Sequence, residues 1–313
     1  MADGPLPWLQ VARIRYLEHV AVVATRALAE RDVASVLLKG SSFGQLWYGP
    51  GERRTFTDVD LLVAPTQVAH ATAVLAEHGF EDTFAGAAPS ETSPYATELR
   101  GPRAVIDLHH TLPGVTVSGE QAWQLLAEEP DHIGLPDGPV PVLTVPGRAL
   151  HAVLDVASDG AAAARLDDVE RAIGRLPFAV WQDALELAEG LGALPSFAAG
   201  LALLPGGREL ARRLGVDPTI PTDVALRAST PPPLALGLDQ LVTTPGIRGR
   251  VAFLARRLVP TPSGLRYWSP LARRGRLGMA LAYAWRPFYL AVHAPRAFGA
   301  WRRARAVSRD REG

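Results

Sequence analysis

The residues most suited to chemistry are two aspartates separated by a single position within an apolar run. Asp58 and Asp60 lie in residues 57–63, which read TDVDLLV. Because side chains alternate between the faces of a strand, both carboxylates are predicted to project from one face, about 7 Å apart. Two ionised carboxylates at that distance repel each other, and a divalent cation between them would relieve the repulsion. Hard oxygen ligands of this kind favour Mg²⁺ or Mn²⁺ over zinc.

A third carboxylate, Asp107, occurs in a second apolar stretch, residues 105–109, where it shares a strand face with His109. If this strand lies beside the one that carries Asp58 and Asp60, the three aspartates form a triad at one edge of a sheet. Such a triad is the ligand set expected for two-metal phosphoryl or nucleotidyl transfer. We therefore predict a metal site formed by these three acids, with His109 as a candidate to support it from the same face.

A glycine and a serine that precede these acids indicate where phosphates would bind. Residues 37–39 end an apolar run, and Gly40 and Ser41 follow it. Glycine permits close approach to the backbone, and amides at the start of a following helix favour an anion such as a nucleotide phosphate. The alternative is an ordinary helix cap provided by Ser41 or Ser42. Lys39 is the only lysine in the chain, which reflects either a compositional bias toward arginine or a need for a compact ammonium.

Hydrophobic patterning predicts the elements that must position these residues. We expect an α/β (α+β) fold, in which a small mixed sheet carries the acids and a helical C-terminal domain follows. The predicted domains are residues 1–145 and 146–313. The predicted elements of the first domain are helices over 11–31, 41–47 and 65–77, strands over 35–38 and 57–63, and a hairpin formed by 95–100 and 103–109.

Together, residues 39–41 (KGS), Arg54, residues 58–63 (DVDLLV) and residues 107–109 (DLH) resemble the polymerase-β-like nucleotidyltransferase superfamily. Within it, the chain is similar to a bacterial nucleotidyltransferase family with an LKG…R…DIDLLV…DLH pattern, and the resemblance is best over residues 30–110. It implies a small mixed sheet of nucleotidyltransferase type and an NTP as the donor substrate. Members of that family often accompany genes for natural-product or surface-polysaccharide biosynthesis.

The resemblance also implies roles for individual residues. Asp58, Asp60 and Asp107 would be the catalytic, metal-binding acids, with Mg²⁺ or Mn²⁺ as the cofactor, and Asp107 would assist deprotonation of the acceptor. The residues that would contact the triphosphate are Lys39, Gly40, Ser41 and Arg54.

The reaction that we expect is metal-dependent transfer of a nucleoside monophosphate from an NTP to an unidentified small-molecule, peptide or carrier acceptor. One alternative is a non-catalytic protein of the same fold that binds a peptide, a carrier or a nucleic acid. A further alternative is a toxin-like enzyme that modifies tRNA by the same chemistry.

Composition excludes several classes of protein. The 313 residues contain no cysteine, which rules out disulfides, zinc–thiolate sites and iron–sulfur clusters. The N-terminus lacks the pattern of a signal peptide, so we expect a soluble, cytoplasmic protein. Thirty-two basic residues balance thirty-two acidic ones, and this neutral total gives no support for a nucleic-acid partner.

The charge is nevertheless uneven along the chain. From Ile247 to Gly313 the sequence has fifteen arginines against Asp310 and Glu312. Aromatic residues are interleaved with these arginines, and two interpretations stay open. The segment either contacts a membrane surface or a nucleic acid, or it forms helices that pack their aromatic side chains inward while the arginines remain solvated.

Overall fold

The computed structural model describes residues 8–85, 93–159, 162–217, 220–228 and 234–309, which form a mixed α/β protein. The strands in these residues are β1 Ser35–Leu37, β2 Val59–Val63, β3 Glu81–Asp82, β4 Ala96–Arg100, β5 Val105–His109, β6 Asp131–Leu135 and β7 Gly138–Val142. The α-helices are α1 Trp8–Ala29, α2 Ser41–Trp47, α3 Val68–Glu77, α4 Gly119–Ala127, α5 Val145–Asp159, α6 Ala163–Arg175, α7 Phe178–Gly190, α8 Leu194–Ala202, α9 Pro205–Arg213, α10 Thr222–Ala228, α11 Ala235–Thr243, α12 Ile247–Leu258, α13 Pro262–Trp268 and α14 Gly275–Arg309.

The chain forms two compact units. The first contains residues up to 83, 95–155 and 164–197, and the second contains residues 84–94, 156–163 and 198 onward. All seven strands belong to the first unit. The predicted fold class, a mixed sheet followed by a largely helical chain, is confirmed.

The strands form one mixed sheet in the order β3-β4-β5-β2-β1-β7-β6. The pairs β2–β5 and β1–β7 are parallel, and the other neighbouring strands are antiparallel. This order puts β2, which carries Asp60, directly beside β5, which carries Asp107.

The apolar face of β2 is what fixes the position of Asp60. All five residues of the strand are buried, and Leu61 and Val63 share a core cluster with Leu17 of α1 and Leu75 of α3. Burying each such side chain contributes roughly 1.5–3 kcal/mol. Because alternate side chains of a strand point to opposite faces, the same packing directs Asp60 away from this cluster.

Most of the predicted elements of the first unit are confirmed, with small differences at their ends. The hairpin that was expected up to His109 is the antiparallel pair β4–β5. The strand expected from Thr57 begins instead at Val59, so Asp58 precedes it. A physical reason is that β1 ends at Leu37, opposite Leu61, and leaves the start of residues 57–63 without a strand neighbour on that side.

The hairpin β6–β7 is not predicted by the sequence pattern, because it contains Gly134, Pro139 and Pro141. Proline lacks the N–H that a ladder requires and is normally excluded from inner strands. It is tolerated here because β1 pairs with β7 at one position, Leu37 opposite Val142, so the two prolines face no continuous ladder on that side.

The second unit is helical. Leu226 of α10, Ala235 of α11 and Ala297 of α14 belong to one of its core clusters. The longest helix, α14, has 35 residues and includes Pro287 and Pro295. Among the described residues, no helix combines the length and the apolarity needed to cross a membrane.

Candidate metal and nucleotide site

Asp60 and Asp107 meet on neighbouring strands. They are Cα partners in the parallel pair β2–β5, and His109 lies two residues further along β5. One ligand atom from each of these three residues lies within 4.8 Å of the other two. Nε2 of His109 is 3.2 Å from Oδ1 of Asp60. The expectation that the acid-bearing strands are neighbours is therefore confirmed, and His109, expected only as a support, is part of the group.

Asp58 is not one of these three residues. It lies just before β2 and is partly exposed. Burial raises the pKa of its carboxyl, the charge of Asp60 raises it further, and Lys39 opposes the shift. Asp58 is thus close enough to Asp60 to be affected by its charge. Its role as a metal ligand stays a prediction.

Lys39 links two carboxylates from distant parts of the chain. Its Nζ atom lies 3.1 Å from Oδ1 of Asp60 and 3.4 Å from Oδ1 of Asp155. Burial alone would lower the pKa of Lys39, but the two carboxylates outweigh burial and raise that pKa above its usual value. The ammonium is therefore permanently charged. A compact ammonium suits this position between two carboxylates better than a planar guanidinium. Contact between Lys39 and a phosphate stays a prediction.

The pKa values of the two neighbouring aspartates are shifted in opposite directions. Burial disfavours ionisation of Asp60, yet the charge of Lys39 and the hydrogen bond with His109 hold the pKa of Asp60 well below its usual range. Burial, with a contribution from the charge of Asp60, raises the pKa of Asp107 to about 6. Asp60 is therefore a permanent anion, whereas Asp107 can gain or lose a proton near neutral pH. Such a separation of pKa values is typical of acid–base sites.

Asp155 is a member of the site that the sequence patterns do not single out. It lies on α5, where its Oδ2 is 2.9 Å from Nε of Arg165 while its Oδ1 faces Lys39. Burial disfavours its charge, but Lys39, His151 and Arg165 lower its pKa. The signal that could have found it is a polar stripe, since Arg148, His151 and Asp155 recur at helical spacing on a helix whose other residues up to 157 are mostly buried and apolar.

Gly40 and Ser41 form the turn between β1 and α2. Gly40 has a φ of 70°, a conformation that favours glycine, and a Cβ added to it would lie 3.3 Å from Phe56. The residue at the cap position of α2 is Gly40, and no side chain caps the helix, so the alternative role of Ser41 or Ser42 as a cap is wrong. The hydroxyl of Ser41 instead donates to Oε1 of Glu18 at 2.8 Å.

A cavity of about 210 Å³ opens beside Ser41, and Glu18, Arg53, Arg54 and Phe56 are among its lining residues. The two arginines suit a phosphate group, and the carboxylate of Glu18 opposes one. The cavity is therefore a candidate phosphate site of mixed charge.

Arg54 is paired within the protein. Its Nε and Nη2 atoms lie 2.9 Å and 2.8 Å from the carboxylate oxygens of Asp168 on α6. The hydroxyl of Tyr48 donates to the same carboxylate at 2.9 Å. Asp168 is 2% exposed, so this pair is a buried one, and removal of either partner would leave an uncompensated charge. Contact between Arg54 and the triphosphate stays a prediction.

The residues present fit a divalent cation. Two carboxylates, Asp60 and Asp107, provide the oxygen ligands that Mg²⁺ and Mn²⁺ prefer, and the imidazole of His109 is a ligand that transition metals accept more readily than magnesium does. Nδ1 of His109 is buried and has no hydrogen-bond partner in the described part of the chain. A cation that takes Oδ1 of Asp60 must compete with Lys39 for that oxygen.

Comparison with known proteins gives one extensive match. Residues 10–205 match a family described as "uncharacterised nucleotidyltransferase". A comparison with curated proteins gives no match.

Solved structures give looser similarities. The solution structure of the antibiotic-resistance factor ANT(2'')-Ia has 14% identity and a TM-score of 0.41, over 61% of this chain and 96% of that one. The crystal structure of ANT(2")-Ia with adenylyl-2"-tobramycin has 13% identity and a TM-score of 0.40, over 57% and 97%. An antigenic nucleotidyltransferase-like protein from Paracoccidioides brasiliensis has 17% identity and a TM-score of 0.33, over 56% and 92%.

Proposed function

The chain belongs to this family of nucleotidyltransferases, and we propose that it transfers a nucleoside monophosphate from an NTP to an acceptor and releases pyrophosphate. The observation that carries the proposal is the group formed by Asp60, Asp107 and His109, whose ligand atoms lie within 4.8 Å of one another. Neighbouring carboxylates of this kind are the usual ligands of the cations that accompany nucleoside triphosphates.

Asp60 and Asp107 would hold Mg²⁺ or Mn²⁺, with Asp58 as the third acid. A bound cation supplies positive charge that offsets the negative charge of the triphosphate and polarises the phosphoryl group under attack. Lys39 keeps Asp60 ionised, because the ammonium and the carboxylate are 3.1 Å apart. The acid is thereby ready to bind a cation at any pH at which the enzyme would work.

Asp107 is the residue to which we assign proton transfer. The acceptor oxygen attacks the α-phosphorus, so a bond forms between these two atoms while the bond to the bridging oxygen breaks and pyrophosphate leaves. The proton of the acceptor passes to the carboxylate of Asp107. In the metal-free protein the pKa of this carboxyl is about 6, and a bound cation would keep the carboxyl ionised, which leaves it able to accept the proton.

Gly40, Ser41 and Arg54 are the residues to which we assign the triphosphate, with Lys39 as a further charge partner. Gly40 has a positive φ, which allows the tight turn between β1 and α2 at which we place the phosphates. Ser41 and Arg54 line the cavity of about 210 Å³. For Ser41 to contact a phosphate, its hydroxyl must exchange the hydrogen bond with Glu18 for one with the ligand.

The acceptor that we propose is a small molecule, a peptide or a carrier, within natural-product or surface-polysaccharide biosynthesis. An NTP donor is an intracellular metabolite, which is why the proposal includes a cytoplasmic location.

The test begins with NTP binding, because binding needs no knowledge of the acceptor. Each of the four NTPs is titrated calorimetrically into the full-length protein with Mg²⁺, with Mn²⁺ and with EDTA. We expect binding of at least one NTP that requires the cation and that is lost in Asp60→Asn. Absence of cation-dependent binding for all four NTPs would contradict the proposal.

Transfer is then tested with NTPs labelled at the α-phosphate and with fractionated cell extract as the source of acceptors. Label in a small-molecule, peptide or carrier fraction supports the proposal, and Asp107→Asn should abolish it. Label in tRNA would instead favour the toxin-like alternative. Cation-dependent binding without any labelled product would favour the non-catalytic binding protein.

A further inference from the structure

The C-terminal part of the second unit has an extreme charge. Between Ile247 and Arg309 the sequence has fourteen arginines and neither aspartate nor glutamate. Asp310 and Glu312, the acids that follow, lie outside the described residues. Most of these arginines have exposed side chains. A patch of such density attracts anionic partners, and no carboxylate within the segment can neutralise it.

An apolar stripe follows one side of α14. Leu277, Leu281, Trp285, Phe288 and Val292 are 50–75% exposed. Their spacings of four, four, three and four residues place them on one face of a helix. Exposed apolar side chains that recur at helical spacing mark an interaction surface, whereas scattered ones do not.

A second stripe follows α12. Ile247, Val251, Leu254 and Leu258 are 43–80% exposed and recur at spacings of four, three and four residues. The interpretation in which this segment packs its aromatic side chains inward is wrong for Trp268, Trp285 and Phe288, which are 62–71% exposed. It holds for Tyr283, which is half-buried and whose hydroxyl donates to a backbone carbonyl at 2.7 Å.

The two helices are joined beside a recess. Nε of Arg286 on α14 donates to the carbonyl of Arg257 on α12 at 2.8 Å. Two cavities of about 360 Å³ and 940 Å³ both have Arg257, Trp268 and Arg286 in their linings. Guanidinium groups next to an exposed indole are suited to an anionic headgroup that lies at an apolar boundary.

The residue types distinguish between three candidate occupants of this surface. A second copy of the chain, in a two-fold dimer that pairs this surface with itself, would bring another arginine-rich segment against the first, and the like charges would repel. A nucleic acid would satisfy the arginines and could stack on Trp285 or Phe288. It would leave the aliphatic residues of both stripes, such as Leu277 and Ile247, facing polar backbone. An anionic lipid bilayer suits both the arginines and the apolar stripes, since its phosphates pair with arginine and its acyl region accepts leucine, isoleucine and valine.

We propose that the surface formed by α12, α13 and α14, which we call the basic apolar face, docks on anionic lipid bilayers. The apolar stripes enter the boundary between headgroups and acyl chains, and the surrounding arginines pair with lipid phosphates. This inference is independent of the proposed transfer reaction, because none of its residues belongs to the candidate site.

The test is flotation of the full-length protein with vesicles of phosphatidylcholine, with or without phosphatidylglycerol. We expect the protein to float with the anionic vesicles at low salt and to be released as salt is raised. It should not bind neutral vesicles. Trp285→Ser with Phe288→Ser should lower partitioning about tenfold or more by removing apolar contact. Arg274→Gln with Arg276→Gln should lower it by a similar factor by removing charge.

Matched variants outside the basic apolar face provide the controls. Trp8→Ser removes an exposed tryptophan from α1, which is 75% exposed, and Arg31→Gln with Arg103→Gln removes two charges from the first unit. Both should float like the unchanged protein. Melting curves check folding, and the test variants change only exposed positions.

Three outcomes would overturn the inference. The first is failure to float with anionic vesicles at low salt. The second is binding of RNA in a mobility-shift assay, lost in the face variants, without vesicle binding. The third is a dimer in light scattering that the Trp285→Ser and Phe288→Ser pair converts to a monomer, because the surface would then belong to a second copy.

Discussion

Asp60 and Asp107 lie opposite each other on parallel strands, yet their carboxyls have pKa values displaced in opposite directions. The difference comes from their partners. Asp60 shares Oδ1 with Lys39 and His109, and both favour its ionised form. Asp107 is desolvated beside that fixed negative charge, which raises its pKa. One pair of neighbouring residues thus provides a permanent anion and a carboxyl that titrates.

The first prediction is a pH dependence of stability that depends on Asp107. Its pKa is about 6 in the folded protein against 3.8 for the free side chain, so the folded state holds a proton that the unfolded chain has released. In the metal-free protein, the stability associated with Asp107 is fully present below pH 4 and is lost as pH rises through 6. The loss should be about 1–3 kcal/mol.

This is measured by urea denaturation in EDTA across pH 4–8, with Asp107→Asn as the comparison. As pH rises, the free energy of unfolding of Asp107→Asn should increase relative to that of the unchanged protein. Added Mg²⁺ should remove the shift, because a bound cation favours the ionised carboxylate. Parallel profiles for the two proteins in EDTA would show that Asp107 has an ordinary pKa.

The second prediction separates two aspartates that the sequence alone treats alike. Asp60→Asn removes a buried counterion from Lys39, which retains Asp155, and should destabilise the metal-free protein by about 2 kcal/mol or more. Asp58→Asn removes a carboxylate whose pKa is raised by burial, so stability should stay unchanged or increase slightly. Both variants should lose about a thousandfold or more in turnover if both acids bind the cation.

Melting temperatures in EDTA and rates with Mg²⁺ give the two readouts. A strongly destabilised Asp58→Asn would mean that Asp58 has a structural partner. Full turnover in that variant would remove Asp58 from the metal site and leave Asp60, Asp107 and His109 as the ligands.

The residues that the sequence could locate are those with local signals. Apolar alternation positions Asp60 and Asp107 on strands, and the turn after β1 positions Gly40. These patterns depend on neighbours within a few residues, and strand or helix periodicity reports them directly. Asp60 and Asp107 come together because their strands are neighbours in the sheet. The sequence alone could state that neighbourhood only as a condition.

The partners of the charges could not be predicted, because they are far apart in the chain. Lys39 and Asp155 are separated by 116 residues, and Arg54 and Asp168 by 114. A charge pattern indicates that an arginine needs an anion, yet a phosphate and a buried carboxylate satisfy that need equally well. The tertiary fold provides the carboxylate of Asp168, whereas the resemblance implied only the phosphate contact for Arg54.

The third prediction concerns the buried pair of Arg54 and Asp168. Arg54→Ala should destabilise the protein by about 3–5 kcal/mol, because Asp168 would remain buried without its counterion. Loss of NTP binding in that variant would therefore be ambiguous. The double variant Arg54→Met with Asp168→Leu removes both charges and should recover most of the stability.

The double variant then isolates the role of the guanidinium in binding. If Arg54 contacts the triphosphate, calorimetry should show NTP affinity reduced about tenfold or more in a protein of near-normal melting temperature. Tyr48→Phe, which removes only the hydroxyl that donates to Asp168, should bind NTP normally. Normal affinity in the double variant would show that Arg54 serves the fold alone.

The fourth prediction concerns Glu18, which accepts a hydrogen bond from the hydroxyl of Ser41 at 2.8 Å and lines the same cavity as Arg54. Its charge repels a triphosphate, so Glu18→Gln should tighten NTP binding several-fold, in line with about 1 kcal/mol between two unit charges about 4 Å apart in water. Glu52→Gln is the matched control. Glu52 lines that cavity too, and both carboxylates are ion-paired, Glu18 with Arg15 at 3.1 Å and Glu52 with Arg171 at 2.9 Å. Only Glu18 of the two accepts a hydrogen bond from Ser41, so removal of the Glu52 charge should change affinity less. Weaker binding in Glu18→Gln would mean that this carboxylate, through Ser41 or through a cation, assists the triphosphate.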